Sequence, residues 1–207
     1  MSAIQKIGSV EVEQKILEFM TTNSGLDQHR DYLGISKIAD CPRRAFREYH
    51  NGPSLTPESH VMCYAGYEQE RLVMEILERS GIARPPESIN REVTSPFDNR
   101  LRGHIDGVAV DGSLLEIKSV NSRKFEKLFE TGRALFPHYV QVQLYMRYGY
   151  FARALVVYRN RETYGHIVMS VRYVPERAEE FETKAKLLLQ AIDENKLPAC
   201  ECRHCHD

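Results

Sequence analysis

The chain has 207 residues, 42% of them hydrophobic, with 28 lysines and arginines against 29 acidic residues and a formal net charge of −1. That length and apolar content suffice for one sizeable core. The balance excludes a globally basic protein but not a local basic stripe, which is what nucleic-acid binding requires. The opening MSAIQKIGSVEVEQK is polar, without the apolar stretch of a signal peptide. No run approaches the ~18 apolar residues of a membrane span. A cytoplasmic, non-membrane protein is expected, in which the five cysteines are thiols or metal ligands sooner than disulfides.

In chain order, residues 10–22 read as a helix with Val12, Ile16, Leu17, Phe19 and Met20 on one side. Ser36 can cap a second helix that carries Cys41, admits Pro42 in its opening turns and runs to about His50. The stretch 51–54 is a turn. Thr56-Pro57 then starts a long helix to about Ser80, with Gly81 as its stop. The period changes after that: 89–95, 101–110 and 114–120 read as strands. Helices follow at about 122–132 and 137–150, strands at 153–160 and 165–174, and a last helix runs from Pro175 to about Asn195. One α/β domain over 1–207 is expected. It has a mixed sheet of about five strands flanked by helices, an N-terminal helical segment (about 1–55) and a C-terminal cysteine cluster (about 198–207).

The segment RGHIDGVAVDGSLLEIKSV (102–120) sets Asp106, Glu116 and Lys118 among apolar residues of an apparent hairpin. Buried charge is costly unless it is paired or binds a metal. The two acids share a face only if the connecting loop has an odd number of residues. A two-residue Asp111-Gly112 turn separates them, whereas a three-residue loop including Ser113 brings them together. Converging acids would offer hard oxygen ligands for Mg²⁺ or Mn²⁺. Lys118, two residues beyond Glu116, points the same way and can steady charge on a phosphate. The alternative is a set of solvated charges on an exposed sheet face.

Further on, PHYVQVQLYMRYGY puts Gln141 and Tyr145 at i and i+4 on one helical face. Gly66 and Glu70 lie four apart on the long helix. The order Gly103-x-x-Asp106, Glu116-x-Lys118, Gln141-x-x-x-Tyr145 resembles the PD-(D/E)XK nuclease superfamily, and within it the RecB-like exonucleases, over roughly residues 35–205. The resemblance implies a restriction-endonuclease-like fold and a metal-dependent DNA exonuclease. It implies Asp106 and Glu116 as metal-binding acids, Lys118 as the catalytic lysine, and Gln141 and Tyr145 bordering the site and the DNA. The carbonyl of Ile117 and the carboxylate of Glu70 would complete the metal set. Glu70 stands where RecB-like members commonly carry a histidine, and Ile105 stands in place of the superfamily's proline.

Cys200, Cys202 and Cys205 form a C-x-C-x₂-C tail with no apolar partners nearby. Thiolates suit zinc or an iron–sulfur cluster, and Cys41 is the best fourth ligand, while Cys63 lies in an apolar stretch and reads as a buried thiol. One N-terminal and three C-terminal cysteines resemble the staple of the CRISPR-associated iron–sulfur exonucleases. That resemblance implies a 4Fe-4S cluster on Cys41, Cys200, Cys202 and Cys205, joining the chain ends. His204 and His206 keep a zinc site open. Arg43, Arg44 and Arg47, Arg100 and Arg102, and Arg123, Lys124 and Lys127 are candidate phosphate contacts. DNA, as single strands or duplex ends, is the expected partner, in a CRISPR integrase complex or with recombination proteins. The other class of reading is a metal-stapled DNA-binding module that does not cut.

Overall fold

The computed structural model describes residues 9–24, 30–53 and 56–202. Helix α1 (Ser9–Thr22) packs against the long helix α3 (Pro57–Arg79), with the Phe19 and Tyr64 rings meeting edge to face at 6.0 Å. Its apolar side remains largely exposed, Phe19 at 57%. The Thr56 hydroxyl caps α3 by accepting the Ser59 N–H at 3.3 Å, and Gly81 beyond its end takes a φ of +71°.

The expected helix starting at Ser36 does not form as one piece. Strand β1 (Leu33–Gly34) leads into a 3₁₀ turn at Ile35–Lys37, and helix α2 (Pro42–Asn51) begins only at Pro42, with Cys41 as its N-cap. The reason is steric. A residue before proline is pushed out of the α region, and Cys41 takes φ −59°, ψ 128°, while Pro42 is well placed in a first turn.

The single five-stranded sheet is also corrected. Among the described residues there are two sheets, one ordered β1-β3-β2 and one β4-β5-β6-β7. In the first, β2 (Glu92–Thr94) pairs antiparallel and β1 parallel with β3 (Leu101–His104). In the second, β4 (Gly107–Val108) pairs antiparallel with β5 (Leu114–Val120). β5 runs parallel to β6 (Arg153–Asn160), and β7 (His166–Arg172) closes the far edge antiparallel. The stretch read as one strand over 101–110 is therefore two strands in two sheets, joined at Ile105-Asp106.

Helices α4 (Ser122–Thr131) and α5 (Phe136–Gly149) form the crossover from β5 to β6, and α6 (Pro175–Asp193) follows β7. Alternation along β5 divides its side chains. Leu115 and Ile117 join Val73 and Met74 of α3 in one apolar cluster. Leu114 and Val120 join Val140 and Leu144 of α5 and Leu188 of α6 in the other. Helix α5 is buried on most sides, so its polar groups need partners. Gln143 is satisfied structurally, donating to Arg172 O at 2.7 Å and accepting the Val174 N–H at 2.9 Å.

Candidate active site

The hairpin register pairs Gly107 with Leu115 and Val108 with Leu114, and Ala109 N–H bonds to Ser113 O at 2.8 Å. The loop is thus Val110-Asp111-Gly112, odd in number but one residue earlier than the loop with Ser113 that the sequence suggests. Gly112 supplies the positive φ, +85°, that such a loop needs. Extending the register one step sets Asp106 opposite Glu116.

The next step of the ladder would join Ile105 to Ile117, and there it breaks. Ile105 N–H bonds instead to Arg91 O, at 2.9 Å, in the other sheet. Ile117 N–H goes to Asp106 Oδ2, at 2.6 Å. In an antiparallel pair the N–H and C=O of one residue face the same partner, so the Ile117 carbonyl points to this same opened edge. Where the two sheets part, the edge of β5 lies bare, and side chains from its two faces line one cleft. Glu116 and Lys118 come from the α5 side. Glu70 comes from α3 on the other side and receives the Ser119 N–H. The close packing of α3 on β5 runs through Gly66, where an added Cβ would lie 3.5 Å from Ser119 Oγ.

Glu116 is 1% exposed. Lys118 Nζ stands 2.5 Å from its Oε1, while Oε2 is buried without a hydrogen-bond partner among the described residues. Burial, reinforced by Asp106 and Glu70 and opposed by Lys118, pushes the Glu116 carboxyl up to about 8. Burial is likewise the main cause that moves Glu70 to about 7, against the pull of Lys118 and with the push of Asp106. Burial works against the Lys118 ammonium, but Glu116, Asp106 and Glu70 together outweigh it and hold its pKa above the ordinary lysine range.

Crowded, under-bonded carboxylates beside one ammonium are costly unless a further cation joins them. The donor set here is all oxygen, Asp106, Glu116, Glu70 and the Ile117 carbonyl, the chemistry a hard divalent ion takes, although among the described residues only Cys41, Cys200 and Cys202 bring three ligand atoms within 4.8 Å of one another. The acids open onto a cleft of about 490 Å³ lined also by Arg30, Tyr32, Lys37, Arg102, His138, Gln141 and Tyr145. A second cavity of about 430 Å³ reaches Asp106, Glu70 and Ile117 from the α3 side.

Gln141 Nε2 donates to Tyr145 Oη at 3.2 Å, and Tyr145 Oη donates to His104 O at 3.0 Å. Gly103 makes room for that ring, since a Cβ there would come within 2.6 Å of Tyr145 Oη. Arg102 lies at the mouth, 4.5 Å over the Tyr32 ring and 3.2 Å from Asp31. Arg43 stands elsewhere, with its Nε donating to Pro198 O at 3.1 Å. Arg100 is bound to Asp98 and Asp193. Lys124 lies in the first turn of α4, where its N–H is capped by Asn121 at 3.0 Å.

His138 and Tyr32 at the cleft, and Tyr158 buried behind it, escaped the sequence reading. His138 Nδ1 lies 3.0 Å from Tyr158 Oη, which also accepts the Leu135 N–H at 3.1 Å. Burial, with Lys118 and Lys124 nearby, pushes His138 down to about 3, so it is neutral. Tyr158 is the β6 neighbour of Lys118, and burial pushes its phenol up to about 12. His138, Gln141 and Tyr145 are spaced i, i+3, i+7 on α5, and that helical stripe was a readable signal. Nothing local marks Tyr32, which the parallel pairing of β1 with β3 brings in.

Cys41, Cys200 and Cys202 come together within 4.8 Å of one another, while Cys205, His204 and His206 lie outside the described residues. Cys63, read as a buried thiol, is only partly buried; it lines a pocket that adjoins the cleft through Tyr32, Lys37 and Tyr67, and burial raises its thiol pKa. No described helix is long and apolar enough to cross a membrane.

No family model matches the chain, and no curated protein matches it. Its fold does resemble solved structures. An alkaline exonuclease (LHK-Exo) from Laribacter hongkongensis superposes with a TM-score of 0.62 at 15% identity, over 86% of this chain and 93% of that one. LHK-Exo in complex with dAMP gives 0.62 at 16% identity over the same shares. SSO0001 gives 0.62 at 14%, over 86% of this chain and 85% of that one. At these identities the likeness is one of fold.

Proposed function

We propose that the chain is a Mg²⁺- or Mn²⁺-dependent deoxyribonuclease that removes nucleotides from DNA ends, the step common to CRISPR spacer acquisition and viral recombination. The observation that carries this reading is Glu116. A carboxylate buried to 1% exposure, one oxygen paired with Lys118 and the other without a hydrogen-bond partner, lies with Asp106 and Glu70 beside a cleft of nucleotide size. The exonuclease part is supported by the shared fold with an alkaline exonuclease, one structure of which holds dAMP.

Asp106, Glu116, Glu70 and the Ile117 carbonyl would hold the ion, which when bound lowers the pKa of a water and polarises a phosphate. Lys118, kept charged by three acids, neutralises oxygens of the scissile phosphate and orients the water for in-line attack. Gln141 and Tyr145 brace the end of β3, which leads into Asp106, and would border the DNA. Arg102 and Arg30, both stacked on the Tyr32 ring, would meet phosphates at the mouth. A metal at the cysteines would be a structural staple joining the chain ends, apart from the chemistry.

The test is release of acid-soluble nucleotides from end-labelled linear DNA in Mn²⁺ and in EDTA. Activity is expected only with the ion, and Glu116→Gln and Lys118→Ala should lose at least about a hundredfold, the usual worth of a positioned electrostatic group. Wild-type rates in either variant would reject the assignment. DNA binding without any release would favour the non-cleaving module.

A further inference from the structure

Cys41 caps α2, and Cys200 and Cys202 lie on the tail that follows α6. Cys41 Sγ and Cys200 Sγ are 3.9 Å apart, as are Cys200 Sγ and Cys202 Sγ. A disulfide would need about 2 Å. In a four-iron cluster each thiolate sits on its own iron and points outward from a cube corner, so the sulfurs stand on the order of 6 Å apart. Around a single tetrahedral ion with arms of about 2.3 Å, the sulfurs stand about 3.8 Å apart. We infer that Cys41, Cys200 and Cys202 form a mononuclear tetrahedral thiolate site for zinc, in place of the four-iron cluster that the family resemblance implies.

The surroundings hold the sulfurs in this arrangement by bonds that need no ion. Glu201 N–H donates to Cys41 Sγ at 3.4 Å, a bond that favours the thiolate. Lys184 Nζ donates to Asp40 O at 3.1 Å and stands 3.4 Å from Glu201 Oε2, tying both approaches to the site onto α6. Arg43 binds Pro198 O on the other side. A tetrahedral zinc takes a fourth ligand besides these three thiolates, and in sequence His204, Cys205 and His206 follow Cys202 within four residues. The site differs in kind from the acidic one. Sulfur selects zinc and carboxylate oxygen selects magnesium or manganese, so each can be emptied without the other. Gly34, Lys37 and Asp40, which line the cleft, run directly into Cys41, so the ion anchors one wall of it.

Metal analysis of the untagged full chain, purified under reducing conditions without chelator, tests this. Expected is about one zinc per chain, lost in Cys41→Ser and Cys200→Ser and kept in Cys63→Ser. Iron with inorganic sulfide near four per chain and a broad visible band overturns it, and so does a reduced protein that holds no metal. If the serine variants do not fold, the wild type answers. Titration with an organomercurial should release one zinc as three or four thiols react, and cobalt(II) reconstitution should give the intense absorption of a tetrahedral thiolate. Zinc release independent of thiol modification, or a pale octahedral cobalt spectrum, rejects the site.

Discussion

Gly103 and Glu116 show how single positions set this site. A methyl at Gly103 would meet Tyr145 Oη at 2.6 Å and Cε1 at 2.9 Å, and the ring is held by His104 O and Gln141. Gly103→Ala should cost about 1–3 kcal/mol by overpacking and lower activity. Adding Tyr145→Phe, which removes one of the two clashing atoms, should recover part of that stability, so the two changes should be non-additive in denaturant unfolding. Glu116 gives a pH signature. Its carboxyl is raised to about 8, so between the ordinary carboxylate range and that value the folded chain keeps a proton the unfolded chain has released. Stability of the metal-free protein must therefore fall as pH rises through this window, and Glu70, raised to about 7, adds to it with the same sign. Urea unfolding in EDTA from pH 5 to 9 should show that loss, with a shallower slope in Glu116→Gln. Mn²⁺ should raise Tm strongly at pH 8 and weakly at pH 5, where protons compete for the acids. Asp106, Glu116, Lys118, Gln141 and Tyr145 were all legible as spaced motifs. The bare edge that brings Glu70 to them was not, because no local pattern says that a strand will change sheets.

Elements were read well where a local rule decides them, and less well where two rules compete. Thr56-Pro57 and Pro175 each fix a helix start through capping or proline chemistry, and those starts stand where the sequence put them. Ser36 offered a cap too, but Pro42 governed the local backbone and moved the helix start past Cys41. In the 102–120 hairpin, Asp111-Gly112 suits a two-residue turn, yet the register keeps the acids opposite each other through a three-residue loop closed by Gly112 at φ +85°. Hydrophobic pairing of Val108 with Leu114 outweighs the preference of a dipeptide. Gly112→Ala should strain the loop by about 1–2 kcal/mol, seen as a lower urea midpoint. The proposed nuclease activity should persist at low temperature, because the acids lie beyond the loop.

Across the whole molecule, near-zero net charge still sets several cations at the mouth of one cleft, where Lys37 pairs with Glu48 and Arg102 with Asp31. Its cations come from segments distant in sequence, Arg30 and Lys37 beside β1 and Arg102 on β3, brought together by a parallel pairing that sequence spacing does not announce. Arg43 and Arg100, which looked equivalent by composition, instead brace the chain ends through Pro198 and Asp193. Arg102→Ala should weaken binding of DNA of any sequence and reduce the salt slope of log K by about 1, whereas Arg100→Ala should leave that slope unchanged and lower stability. The seam between the sheets also carries a readout of its own. The Ile117 amide hydrogen bonds to the very carboxylate proposed to grip the catalytic cation, so its NMR resonance should shift as that cation is titrated in. A backbone proton thus becomes a built-in beacon for occupancy, visible in silent variants that turn over nothing.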